Sequence, residues 1–383
     1  MKFVIAPDSF KGGLTARQVS DAIYDGLKRI FSDAEIETVP MADGGEGTVQ
    51  ALTDATKGKL ITELVVGPLG KNVEATYGIL GDSDTAVIEM SAASGIQYVN
   101  DQTHNPMITT TYGTGQLIVN ALDHGVKKII LGIGGSATND GGAGMAQALG
   151  AKLLDEDGQN LSYGGGQLDK LATINIEDVD SRIEKTEILI ASDVTNPLTG
   201  SNGASAIFGP QKGATTAMIN KLDSNLHHYA QIIKRDLGIS LEETSGSGAA
   251  GGLGAGLLAF TNSRMEKGID IVVAYSSLEK KLQGADFVFT GEGSMDFQTK
   301  YGKTPFGVAL AAKKVSPHAP VIALVGNIGE NVEELYETGA IDAIFSAPSG
   351  AKSLEQAIKD TKQDLSMLAE NIARLIDSQK NKS

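Results

Sequence analysis

Five polar, turn-forming segments hold most of the side chains that could do chemistry in this chain. They are Pro7-Asp8-Ser9-Phe10-Lys11-Gly12-Gly13, Met41-Ala42-Asp43-Gly44-Gly45-Glu46-Gly47 and Gly134-Gly135-Ser136-Ala137-Thr138-Asn139-Asp140-Gly141-Gly142, followed by Ser192-Asp193-Val194-Thr195-Asn196-Pro197 and Gly291-Glu292-Gly293-Ser294-Met295-Asp296. Each carries a carboxylate, and four carry glycines that let backbone N–H groups come close to an anion. A helix N-terminus after such a loop adds partial positive charge. A glycine behind a strand can simply make a tight turn. A turn, however, has no need of an acid beside paired glycines, so the set points to phosphate and a metal ion.

Cations stand in or beside these loops: Lys11, Lys300, Lys303, and Lys212 within Gly209-Pro210-Gln211-Lys212-Gly213. A single loop lysine is usually a solvated charge. Lys11 departs from that rule because it follows a strand edge, three residues from Asp8. Phosphoryl transfer needs such cations, since catalysis there is mainly positioning and electrostatics. Among the acids, Asp193 ends an apolar run beside Thr195 and Asn196, where it could hold Mg²⁺, accept a hydroxyl proton, or only make a turn before Pro197. Asp43, Asp140, Glu292 and Asp296 are the other acid candidates.

Standard phosphate fingerprints fail. Gly302-Lys303-Thr304 ends like a P-loop, but Phe297 stands where its first glycine belongs. Gly246-Ser247-Gly248-Ala249-Ala250-Gly251 has dinucleotide spacing without a strand before it, and reads better as helix packing through small residues. It is the best support for a rival reading as a dinucleotide-dependent oxidoreductase. The protein-kinase His-Arg-Asp and Asp-Phe-Gly signatures are absent.

The loops must be positioned by strands and helices, and the pattern supplies them. Short β-branched runs at 2–6, 35–40, 286–290, 321–325 and 343–346 alternate with helical periodicity at 15–31, 47–55, 304–315 and 353–377. That alternation is the signature of βαβ units and a parallel sheet. Thr15-Ala16-Arg17-Gln18 has capping-box form, and Thr304-Pro305 reads as an N-cap followed by the first turn. Residues 59–99 look like hairpins, followed by strands at 127–132 and 187–191 and helices at 113–122, 141–149 and 216–237. The fold class expected is α/β in two domains. One is a discontinuous, Rossmann-like parallel-sheet domain over 1–60 plus 265–383; the other is a mixed α/β domain inserted at 61–264.

Composition narrows the function. The 383 residues include 47 glycines, about 12%, against a usual usage near 7%. Lys plus Arg at 32 against Asp plus Glu at 47 gives a net charge of −15, which argues against nucleic acid or an anionic membrane as partner. Zero cysteines exclude disulfides and thiolate chemistry, and the five histidines lack metal-site spacing. The N-terminal apolar run is too short for a signal-peptide core, so a cytoplasmic location is expected. A homodimer is left open.

The segments together resemble the bacterial glycerate kinase family. The resemblance is carried by Ala6-Pro7-Asp8-Ser9-Phe10-Lys11-Gly12, Met41-Ala42-Asp43-Gly44-Gly45-Glu46-Gly47-Thr48, Gly134 through Gly142, Ser192-Asp193-Val194-Thr195-Asn196-Pro197-Leu198, Phe208-Gly209-Pro210-Gln211-Lys212-Gly213 and Thr290-Gly291-Glu292-Gly293, in order over nearly the whole chain. It implies two α/β domains with the active site in the cleft between them, and ATP- and Mg²⁺-dependent phosphorylation of glycerate, with 2-phosphoglycerate favoured over the 3-isomer. On this reading Asp193, Lys11 and Asp8 are catalytic, while Ser9, Asp43, Glu46, Ser136, Thr138, Asn139 and Asn196 hold the acceptor. Gly134, Gly135, Gly141, Lys212, Gly291, Gly293 and Lys303 hold ATP, and Asp193, Glu292 and Asp296 the metal. The other rival is a non-catalytic sugar-acid or nucleotide sensor on the same fold.

Overall fold

Short apolar runs become the strands of two main sheets in the computed structural model, which describes residues 1–380. The chain divides into two units: Met1–Lys57 with the described residues from Gly268 onward, and Gly58–Lys267.

In the first unit, five parallel strands lie in the order Ala343–Ser346, Val321–Val325, Phe287–Thr290, Lys2–Ile5, Glu35–Thr38. Phe3, Val4 and Ile5 are all fully buried, which is why the central strand is continuously apolar rather than alternating. Phe3, Ile5 and Phe289 pack with Val19, Ile23 and Leu27 of the Ala16–Lys28 helix and with Leu365, Ala369 and Ile372 of the Leu354–Lys380 helix. Each of these valine, leucine, isoleucine and phenylalanine side chains contributes roughly 1.5–3 kcal/mol by leaving water. The two helices cross at Gly26, where a Cβ would lie 2.3 Å from the Ser366 carbonyl oxygen. The capping box is formed: Gln18 N–H donates to Thr15 Oγ1 (3.2 Å) and Thr15 N–H to Gln18 Oε1 (3.0 Å). At the Thr304–Val315 helix, Lys303 rather than Thr304 is the N-cap, so the expected start is displaced by one residue.

The second unit has a six-stranded mixed sheet. Ser263–Glu266, Glu187–Ala191, Lys128–Gly132 and Thr85–Glu89 run parallel, and Asn72–Ile79 and Lys59–Val66 continue it antiparallel as the expected hairpins. Ile88, Ile129, Leu131, Ile188 and Ile190 form its core with Leu117 and Ile118 of the Tyr112–Asp123 helix. A further cluster gathers Leu226, Tyr229 and Ile233 of the Thr216–Leu237 helix. The Ala249–Phe260 helix is anticipated only by the small-residue helix packing read at 246–251, and its extent is not marked by any periodic pattern. Its start is kinked through left-handed Ala250, Gly251 and Gly252, and a Cβ on Gly251 would sit 2.0 Å from the Thr138 carbonyl oxygen. The glycines of the dinucleotide-like spacing therefore serve close backbone packing.

Candidate active site

Both the Pro7-Asp8-Ser9 and Gly291-Glu292-Gly293 loops leave the carboxyl ends of neighbouring parallel strands, Lys2–Ile5 and Phe287–Thr290. The winding of the first sheet reverses between these two strands: the chain moves to one side toward Glu35–Thr38 and to the other toward Val321–Val325. Two loops that diverge from such a reversal leave a crevice. A cavity of about 540 Å³ opens there, lined by Asp8, Ser9, Lys11, Asp43, Glu292, Gly293 and Lys303. Phe10, Ala347, Pro348, Leu354, Ala357 and Ile358 give it an apolar flank.

The acids in this cavity are only partly satisfied. Asp8 accepts from Ser9 N–H at 2.6 Å and from Thr304 Oγ1 at 2.5 Å, and burial, with the nearby charge of Asp43 adding, pushes its pKa up to about 6. Glu292 accepts from Thr299 Oγ1 at 2.9 Å and lies 3.6 Å from Lys303 Nζ. Burial outweighs the pull of Lys303 and raises Glu292 to about 7. Asp43 accepts from Gly45 N–H at 3.0 Å. Lys303 caps the Thr304–Val315 helix, so a lysine and the positive end of a helix dipole adjoin the same space. Lys11 is exposed. Cations beside carboxylates that resist ionisation suit a ligand that brings both negative charge and a counter-ion.

The remaining candidates of this unit lie close by in other roles. Gly291 is buried, with room for no side chain, since a Cβ would be 1.9 Å from the Leu324 carbonyl oxygen. Asp296 caps the 3-10 turn Phe297–Tyr301 by accepting from Gln298 N–H at 2.8 Å, and it is 4.0 Å from Lys303. Glu46 lines an adjoining depression of about 280 Å³ that shares Asp8, Ser9 and Lys11. Lys300 is engaged by Glu334 at 2.5 Å. Among the described residues no group of three or more His, Asp or Glu could hold a metal ion by itself.

In the second unit, Gly134, Gly135, Ser136 and Lys212 line a pocket of about 350 Å³ with Val194. Lys212 differs from the solvated loop cation its sequence context suggests: it is 1% exposed and donates to the Thr138 carbonyl oxygen at 2.7 Å. Burial lowers its pKa to about 7, against the attraction of Asp140. Thr138, Asn139 and Gly141 are buried. Asn139 Nδ2 donates to Ser205 Oγ at 3.0 Å, and a Cβ on Gly141 would meet Tyr229 at 2.7 Å. Asp140 is a structural acid, its carboxylate accepting from Thr111 N–H and Oγ1, Gly142 N–H and Gly144 N–H. Asp193 is exposed in the loop after Glu187–Ala191, and Asn196 Nδ2 donates to the Asn202 carbonyl oxygen at 2.8 Å.

Several functional positions escape the sequence reading. Thr304 reads as a helix cap but gives its hydroxyl to Asp8, 296 residues away in sequence. Thr299, holding Glu292, carries no local signal at all. Leu354 and Ile358 read as ordinary helical positions, yet they wall the cavity.

Residues 3–377 match the model of the glycerate kinase family. The chain is 50% identical over 376 residues to the glycerate kinase of Bacillus subtilis (strain 168), covering 98% of both chains. It is 49% identical over 373 residues to the glycerate 2-kinase of Escherichia coli (strain K12), covering 97% of both. The crystal structure of a candidate glycerate kinase 2 from Salmonella typhimurium LT2 superimposes with a TM-score of 0.90 at 48% identity, over 99% of each chain.

Proposed function

Because the chain belongs to the glycerate kinase family, we propose that it transfers the γ-phosphoryl group of ATP to D-glycerate, forming 2-phosphoglycerate and ADP. The observation that carries this reading is the 540 Å³ cavity at the reversal point of the first sheet, where two lysines, a helix N-terminus and partly buried acids line one space. Lys11 and Lys303 neutralise charge on the phosphates, and the Gly293 backbone lines the same cavity. The glycerate hydroxyl oxygen attacks the γ-phosphorus, the bond to the ADP oxygen breaks, and the hydroxyl proton passes to a carboxylate of the same cavity.

Mg²⁺ fits this chemistry without a dedicated protein cage, since it is commonly held by one or two carboxylates, water and the phosphates themselves. Asp8 and Glu292 are the acids suited to it, with charges that burial makes costly and a cation would relieve. When bound it would screen the negative charge of the phosphates. No helix among the described residues is long and apolar enough to cross a membrane. We place the enzyme in the cytoplasm, where its nucleotide is available.

The test is ATP consumption with a panel of hydroxy acids, the product resolved by phosphorus NMR. A 2-phosphoglycerate signal dependent on ATP, Mg²⁺ and D-glycerate is expected. ATP binding without turnover would instead make the chain a sensor, and a 3-phosphoglycerate signal would correct the position of attack.

A further inference from the structure

We propose that the apolar flank of the 540 Å³ cavity seats the purine base of the donor nucleotide, held by its faces against the start of the Leu354–Lys380 helix. The proposal rests on the phosphoryl-transfer reading above and names a contact that reading does not supply. Every residue it uses belongs to the first unit.

The cavity follows the carboxyl edge of the first sheet across four adjacent strands. Its charged groups come from the loops after Lys2–Ile5 and Phe287–Thr290 and from Lys303 at a helix start. Gly326 and Asn327 follow the next strand, Val321–Val325, and Ala347 and Pro348 follow the edge strand, Ala343–Ser346. Three strand spacings separate the Asp8 loop from the Ala347 loop, roughly 14 Å in all. A three-carbon acid cannot reach both, but a nucleoside triphosphate can. Leu354, Ala357, Ile358 and Thr361 stand at i, i+3, i+4 and i+7, one stripe of their helix, and all four line this space.

Further along the helix the same stripe is buried as Leu365, Ala369 and Ile372, whereas Leu354 is 77% and Ile358 37% exposed. Apolar surface left open beside charged groups suits a ligand that has both characters. Among the reactants the base alone has an apolar face, since glycerate and the phosphates offer none. The wall is also fixed in advance. Lys352 Nζ donates to Asp364 at 2.7 Å and to Asp360 at 2.9 Å, and Ser349 Oγ donates to Asp364 at 2.9 Å, which ties the loop after the edge strand to the helix. A preformed wall costs little ordering on binding. Thr361 Oγ1 donates to the Ala357 carbonyl oxygen at 2.7 Å, so the polar side chains at this end, Thr361 and Asp364, are engaged within the protein. The base is therefore gripped by area, and a purine covers more of the wall than a pyrimidine.

Calorimetric titration of the full-length protein with ATP, CTP and inorganic tripolyphosphate, each with Mg²⁺, tests this alongside steady-state kinetics. Tripolyphosphate carries the phosphate chain without the base. Wild type should bind ATP on the order of 10- to 100-fold more tightly than tripolyphosphate, the gain expected from burying one large apolar group, with CTP between them. Leu354→Gln combined with Ile358→Gln puts good helix formers at two exposed positions, so the fold should hold. That variant should bring the Kd and KM for ATP up toward the tripolyphosphate value, with the Kd for tripolyphosphate and the KM for glycerate unchanged; Leu354→Gln alone should lose part of the advantage. If the variants keep the wild-type affinity for ATP, or lose tripolyphosphate equally, the base site is wrong while turnover of glycerate leaves the kinase reading standing. CTP bound as tightly as ATP would overturn the purine assignment. An ATP preference that vanishes in the variants of a protein unable to phosphorylate glycerate would keep the base site and defeat the kinase reading.

Discussion

Asp8 and Asp140 are the same residue type in the same kind of loop, each following a parallel strand and each mostly buried, yet the two units use them oppositely. Asp140 spends its carboxylate on three backbone N–H groups and a threonine hydroxyl, which fold the 138–144 loop around it. Asp8 holds two donors and faces a 540 Å³ cavity. The sheets explain part of the contrast. Winding reverses beside Asp8 and opens a crevice there, whereas the second unit's parallel strands follow one another in chain order across the sheet. An acid in a glycine-rich loop becomes a functional group only where the topology withholds its partners.

The largest effect should come from Asp140→Ala. It strands three buried N–H donors, so stability should fall on the order of 3–5 kcal/mol in chemical denaturation. An unchanged unfolding midpoint would erase the distinction between the two aspartates. Asp8→Asn should do the reverse, lowering kcat/KM roughly 100- to 1,000-fold while the melting temperature holds or rises, because a neutral amide replaces an acid that burial penalises. A large loss of melting temperature in that variant would make Asp8 a second structural acid.

Glu292 sharpens the comparison through pH. Its folded value of about 7 lies above the ordinary 4.5, so the folded state holds the proton more tightly than the unfolded chain does. The stabilisation is therefore complete below pH 4.5 and is lost as pH rises through 7. It amounts to roughly 2–3 kcal/mol for this mostly buried group. Asp8 acts in the same direction up to about 6. Urea unfolding of wild type and Glu292→Gln from pH 4.5 to 7.5 should show a shallower decline in the variant; parallel curves would mean that Glu292 ionises normally. Smallest of all, Ala250→Gly should stabilise by about 0.5–1 kcal/mol by relieving a left-handed alanine, read as a small rise in melting temperature.

These contrasts mark what a sequence can and cannot reveal. The strands of the first sheet and the Thr15 capping box are written in patterns a few residues long, and they form as those patterns predict. The periodicity of the Ala249–Phe260 helix is hidden because four glycines blur it, and the helix exists through backbone packing against residues 138–142. Asp8 and Asp140 look alike in sequence because the donors that separate them, Thr304 and Thr111, come from distant positions. Lys212 looks like a loop cation because nothing beside it in the chain announces burial.

The central strand of the first sheet is the chain's first strand, and it pairs with Phe287–Thr290, some 280 residues downstream. During synthesis Lys2–Ile5 can find Glu35–Thr38 early, but its other edge waits until most of the protein has left the ribosome, while Gly58–Lys267 already has all its own strands. The nascent chain thus carries an unsatisfied apolar strand edge through most of translation, a state that invites aggregation and places a demand on chaperones.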